Sequence, residues 1–150
     1  MRKLFIILSL LPLLSYSQAN VDWTNYPGGV SIATDGSNNV YTANWDYNPA
    51  GDITLTKRNA TGNIIWEVPY NNTDPTRHEV ATWVETDGAG NILVAGTIRS
   101  GYSNPVNANS LLMKFDPSGN LLWRNVWETD FDGSYTKKCI VDAQDNIYVL

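Results

Sequence analysis

Three stretches of this 150-residue chain follow one pattern. Ile32 to Tyr41, Val84 to Leu93 and Ile140 to Tyr148 each place apolar residues before an Asp, a short polar turn, an Asn and further apolar residues. A second pattern recurs between them: Lys57-Arg58-Asn59-Ala60-Thr61-Gly62-Asn63-Ile64-Ile65-Trp66 matches Lys114-Phe115-Asp116-Pro117-Ser118-Gly119-Asn120-Leu121-Leu122-Trp123. Asp35 and Asp87 lie 52 residues apart, Asp87 and Asp142 55, and Trp66 and Trp123 57. Self-similarity at a period of about 50 residues implies units that bury their apolar faces on one another. Asn39 to Gly62 spans 23 residues and Asn91 to Gly119 spans 28, so the period varies mainly in the connection between the two patterns.

Both patterns are hairpin signatures. In Asp116-Pro117-Ser118-Gly119 the Asp accepts backbone hydrogen bonds, Pro presets φ, and Gly takes the positive φ of a bulged hairpin. Asn59-Ala60-Thr61-Gly62 keeps the first and last of these roles. Flanking alternation predicts strands near 31–34, 39–44, 53–58 and 63–68, then 81–86, 91–98, 110–115 and 120–127, then 138–142 and 146–150. Four short antiparallel strands per period predict an all-β fold of β-propeller blades. Blade 1 is expected over 31–70, blade 2 over 81–127 and the start of blade 3 over 137–150, with 18–30 as the closing strand of the last blade. Trp66 and Trp123 are expected to fill the space between blades. About two and a half blades make an incomplete ring, since closed propellers have roughly 4 to 8. The chain is therefore expected to be the N-terminal part of a longer protein, or a truncated one that self-associates through open sheet edges.

Met1-Arg2-Lys3, the apolar run Leu4 to Leu14, and Ser15-Tyr16-Ser17 read as a secretory signal peptide over 1–17. The run is too short to span a bilayer, which needs roughly 20 apolar residues, so no membrane span is expected after cleavage. Cleavage removes two of the 10 basic residues and none of the 15 acidic ones, leaving a net charge of -7. The acidic balance, with no basic run, argues against nucleic acid as a partner. A single Cys, Cys139, excludes an internal disulfide; its apolar neighbours Ile140 and Val141 suit a buried thiol.

The Asp-x-x-Gly-Asn-Ile/Leu-Leu-Trp pattern alternating with Asp-x-x-x-Asn-Ile-Tyr-Val resembles the seven-bladed propeller repeat of bacterial secreted proteins, the SBBP repeat, over residues 21–150. The resemblance implies an exported, cell-surface protein of the kind often fused to adhesion modules or to a sorting domain of type IX secretion. Asp116-x-x-Gly119-x-x-x-Trp123 is also similar to the tryptophan-docking motif of quinoprotein dehydrogenases. The chain lacks their vicinal Cys pair and their quinone-binding residues, so that cofactor is not implied.

No set of residues composes a catalytic centre. His78, in Asp74-Pro75-Thr76-Arg77-His78-Glu79, reads as a solvated loop residue with no nucleophile placed near it. The recurring Asp35, Asp87, Asp116 and Asp142 read as turn caps. Calcium suits Asp and Asn oxygens, but no turn has the dense acidic loop with a distal Glu of the helix-loop-helix calcium sites. Glu128-Thr129-Asp130-Phe131-Asp132 reads as a solvated connection. Trp45 and Tyr47, beside Asp46 and Asn48, and Tyr102 in the long connection 97–109 are the candidate ligand-binding residues. An aromatic face with hydroxyl partners suits a sugar, although Trp45 packed over its own blade would serve burial equally. The expected function is an exported, non-enzymatic binding or adhesion scaffold for a glycan or cell-surface protein. The alternatives are a propeller glycosidase or lyase with its catalytic carboxylates beyond residue 150, or an assembly factor that adds strands to its partners.

Overall fold

The computed structural model describes residues 29–45, 52–70, 74, 76–100, 108–128 and 135–150. Among these residues the chain forms strands and no helix: β1 (Ser31–Thr34), β2 (Val40–Trp45), β3 (Ile53–Arg58), β4 (Ile64–Tyr70), β5 (Arg77–Thr86), β6 (Ile92–Ser100), β7 (Asn109–Phe115), β8 (Leu121–Trp127), β9 (Cys139–Val141) and β10 (Ile147–Val149). They form three antiparallel sheets, β1-β2-β3-β4, β5-β6-β7-β8 and β9-β10, which do not close on one another. Each strand ends within two residues of its expected limits except β5, which begins at Arg77 rather than near residue 81. Of the expected closing strand, residues 18–28 lie outside the described residues; Val30 donates to the Ala43 carbonyl and so continues β1.

The hairpins share one turn. In each, the first residue's side-chain oxygen accepts two backbone N–H groups: Asp35 those of Ser37 and Asn39, and Asn59 those of Thr61 and Asn63. Asp87 takes Ala89 and Asn91, Asp116 takes Ser118 and Asn120, and Asp142 takes Gln144 and Asn146. The fourth position is left-handed, at φ 78° for Gly90 and 90° for Gly119, and also for Asn38 and Asp145 at about 60°. Asn and Asp are the side chains that tolerate this conformation best, because they bond their own backbone.

The second sheet is packed on both faces. On one face Val84, Val94 and Met113 form a core with Tyr41, Ala43 and Leu55 of the first sheet, with Trp66 packed against it. On the other, Leu93, Ala95 and Leu112 pack with Cys139 of the third sheet, joined by Trp123, Val141 and Ile147. Strand β6 is consequently buried from Ile92 to Ile98. The first strands of the three sheets lie side by side. Val84 N–H donates to Ser31 Oγ at 3.0 Å, Thr86 Oγ1 to the Thr34 carbonyl at 3.0 Å and Thr82 Oγ1 to the Thr136 carbonyl at 2.7 Å.

A bulge at Thr82 changes the phase of β5, so that Ala81 and Val84 both face the first sheet. Opposite it, Gly96 leaves no room for a side chain, since a Cβ there would stand 2.5 Å from the Val80 carbonyl oxygen.

Two sequence expectations are corrected here. His78 is not a solvated loop residue: it lies in β5, paired with Arg99, and is buried. Trp45 does not lie beyond the strand expected near 39–44; it is the last residue of β2, paired with Ile53.

Candidate functional site

The turn carboxylates are occupied by the turns they cap. Besides the two backbone donors, each of the four Asp residues accepts the side-chain amide of the Asn four residues on, at 2.8–2.9 Å. Tyr41 and Tyr148 add hydroxyl donors to Asp35 and Asp142. Burial alone would raise the pKa of Asp35, but the hydrogen bonds of Asn39, Tyr41 and Ser37 hold it below the ordinary carboxylate value. Asp116 and Asp142 are lowered chiefly by the Asn120 and Asn146 amides. Asp87 is more enclosed: burial opposes its charge, yet Lys114 at 2.7 Å and Asn91 outweigh that penalty. Among the described residues no group of three or more His, Cys, Asp or Glu stands ready to hold a metal ion.

Cys139 is buried, and burial together with the charge of Glu85 pushes its thiol up to about 12. A thiol so disfavoured as thiolate is not a nucleophile at neutral pH.

Of the candidate ligand-binding residues, Trp45 is half-buried against the core between the first two sheets, and the Arg99 guanidinium lies over its ring at 5.8 Å. Tyr47 and Tyr102 lie outside the described residues.

A different group of side chains does converge. Arg77, Glu79 and Ala81 of β5 pair with Ser100, Ile98 and Gly96 of β6, and paired residues share a face. That face looks toward the first sheet, and Arg124, Val126 and Glu128 alternate onto it from the far edge of the same sheet. On this face of the second sheet, beside the segment that leads into β5, Asp74, Arg77, Ile98, Arg124, Val126 and Glu128 line a cleft of about 310 Å³. Arg124 reaches across and donates to the hydroxyl of Tyr70, the last residue of β4. Arg77 faces Asp74 at 3.6 Å, and Asp74 is held in its own turn by the Thr76 hydroxyl and N–H. Glu79 is fully buried on this face.

In the sequence Glu128 belongs to the expected solvated connection, and no motif singles out Arg77, Arg124 or Glu79. The signal that was present is the alternation Arg124-x-Val126-x-Glu128, which sends a polar-apolar-polar row to one face of a strand. The apolar starts of the outer strands, Ile64, Ile65, Leu121 and Leu122, are each about half exposed, on β4 and β8 at the edges of their sheets. No helix among the described residues is long and apolar enough to cross a membrane.

The chain matches no protein-family model, and no curated protein is significantly similar to it.

Proposed function

We propose that the chain belongs to an exported β-propeller of four-stranded blades, of the SBBP-repeat kind, and serves as a non-enzymatic binding or adhesion scaffold. One observation carries the reading. The sheets stack by the same positions: Leu93, Ala95 and Leu112 present to the third sheet what Tyr41, Ala43 and Leu55 present to the second. A stack that adds sheet to sheet in this way, with first strands adjacent, supports a reading as blades packed around an axis. The recurrent carboxylates are spent on the turns that define each blade, which is the economy of a scaffold. Loops and clefts at the blade ends are then the places for a partner, as variable segments on a rigid frame.

The partner class is a glycan or a cell-surface protein, with self-association through the β4 and β8 edges as a further contact. The test is made on the protein recovered from the culture medium of its native host. The expected result is a processed N-terminus at Gln18 and retention on a glycan array or on cells, with no product released. Retention of Met1 on a cytoplasmic product would overturn export. Turnover of glycans, peptides or esters by the purified protein would overturn the scaffold reading.

A further inference from the structure

We propose that the cleft on the second sheet, beside Asp74, binds one uncharged sugar ring of a glycan; this rests on the scaffold reading and supplies its ligand class. The volume of about 310 Å³ suits a single ring rather than an extended chain, being at the small end of ligand sites. Its walls combine two guanidinium groups, Arg77 and Arg124, with two carboxylates, Asp74 and Glu128, around the aliphatic side chains of Ile98 and Val126.

That combination selects a chemistry. Glu128 and the Arg77 and Arg124 guanidinium groups present planar acceptors and donors, Asp74 being engaged by Thr76 and Arg77, and neighbouring hydroxyls on a pyranose ring are spaced to meet such groups two at a time. The C–H face of the ring covers the half-buried Val126 side chain. Two positive and two negative side chains line the cleft, so an ionic ligand of either sign gains no complementary field and meets a like charge. A neutral, polyhydroxylated ring uses both kinds of group without that penalty.

The geometry is held by rigid elements. Ile98, Arg124 and Val126 stand on β6 and β8, in a sheet packed on both faces, and the Tyr70 hydroxyl fixes the Arg124 head from the facing sheet. Preplaced side chains lose little freedom when they engage a ligand.

The experiment uses the full chain, with saturation-transfer NMR and calorimetric titration of the methyl glycosides of glucose, galactose and mannose. Methyl glucuronide is the charged comparison. At least one neutral glycoside is expected to bind. Arg124→Leu and Glu128→Gln, both at exposed positions, are each expected to weaken it about tenfold, the loss of one or two hydrogen bonds to charged groups. Lys137→Gln, exposed beside the third sheet, should leave binding unchanged. Tighter binding of the glucuronide would overturn the neutral-ring proposal. Undiminished binding in both cleft variants, or loss only in Trp45→Ala, would place the sugar elsewhere. If no glycoside binds while the secreted protein still adheres to cells, the cleft proposal fails and the scaffold reading stands; glycoside cleavage would sink the scaffold reading instead.

Discussion

At the scale of single residues, the turn Asp residues do two jobs with one carboxylate. Two backbone N–H groups and an Asn amide converge on it, so the charged form is what the folded turn stabilises. Each of these Asp residues has a native pKa below its unfolded value near 3.9. A depressed carboxylate adds stability that is fully present above the unfolded pKa and is lost as pH falls through the native one. Asp87 and Lys114 are the pair on which to see this, because the Asp87 side chain is 2% exposed. Lys114→Met leaves the enclosed carboxylate with only Asn91 and Ala89 as donors, and should cost roughly 2–3 kcal/mol at pH 7. Urea unfolding at a series of pH values checks both points. The deficit of the variant should shrink below about pH 4, as Asp87 takes up a proton, and a deficit that persists undiminished at pH 2.5 would contradict the account.

At the scale of elements, the hairpins and their turns were legible because their chemistry is local. Asp or Asn first, Gly, Asn or Asp at the left-handed position and Asn fifth specify the turn locally, whatever surrounds it. The start of β5 was not legible. Arg77-His78-Glu79 reads as a polar connection, and only pairing with Ile98, Arg99 and Ser100 makes it a strand. The cleft was hidden for the same reason, since Asp74, Ile98 and Glu128 are distant in sequence and meet only when the strands of the second sheet pair.

The docking of one hairpin on the next sheet is the element-scale contact that can be measured. Trp66 Nε1 and Lys57 Nζ both donate to the Pro117 carbonyl at 3.2 Å. A Cβ on Gly119 would stand 2.9 Å from Val68 Cγ2 and 3.4 Å from the Trp66 ring. Gly90, at the same turn position and also at positive φ, has only Pro117 at an ordinary 3.8 Å. Gly90→Ala should therefore cost about 1 kcal/mol of backbone strain. Gly119→Ala adds a collision across the sheet interface and should cost about 2–3 kcal/mol. Equal losses for the two, read from urea midpoints, would mean that the turn does not bear on the first sheet.

At the scale of the whole molecule, the sheets do not share one stability. The second sheet is enclosed between two neighbours, whereas β9 and β10 are joined by three residue pairs and hold to it through one small core and a few polar contacts, Thr82 to the Thr136 carbonyl and Gly88 N–H to Asp145 among them. Local stability follows buried apolar contact and protected hydrogen bonds, so the third sheet should open before the others. Cys139 reports this directly. It is 1% exposed beside Leu93, Ala95 and Leu112, and its raised pKa keeps it a thiol at pH 8, so a thiol reagent reaches it only when β9 detaches. In low urea, labelling of Cys139 should therefore depend weakly on denaturant, the mark of a small opening that exposes little surface. Amide exchange in β6 should carry the full dependence of global unfolding. Leu112→Ala, which thins the core under Cys139, should speed labelling by more than its effect on β6 exchange. If the thiol and the β6 amides instead respond to urea with the same slope, the three sheets unfold as one unit, and the third is held by more than the contacts of its single face.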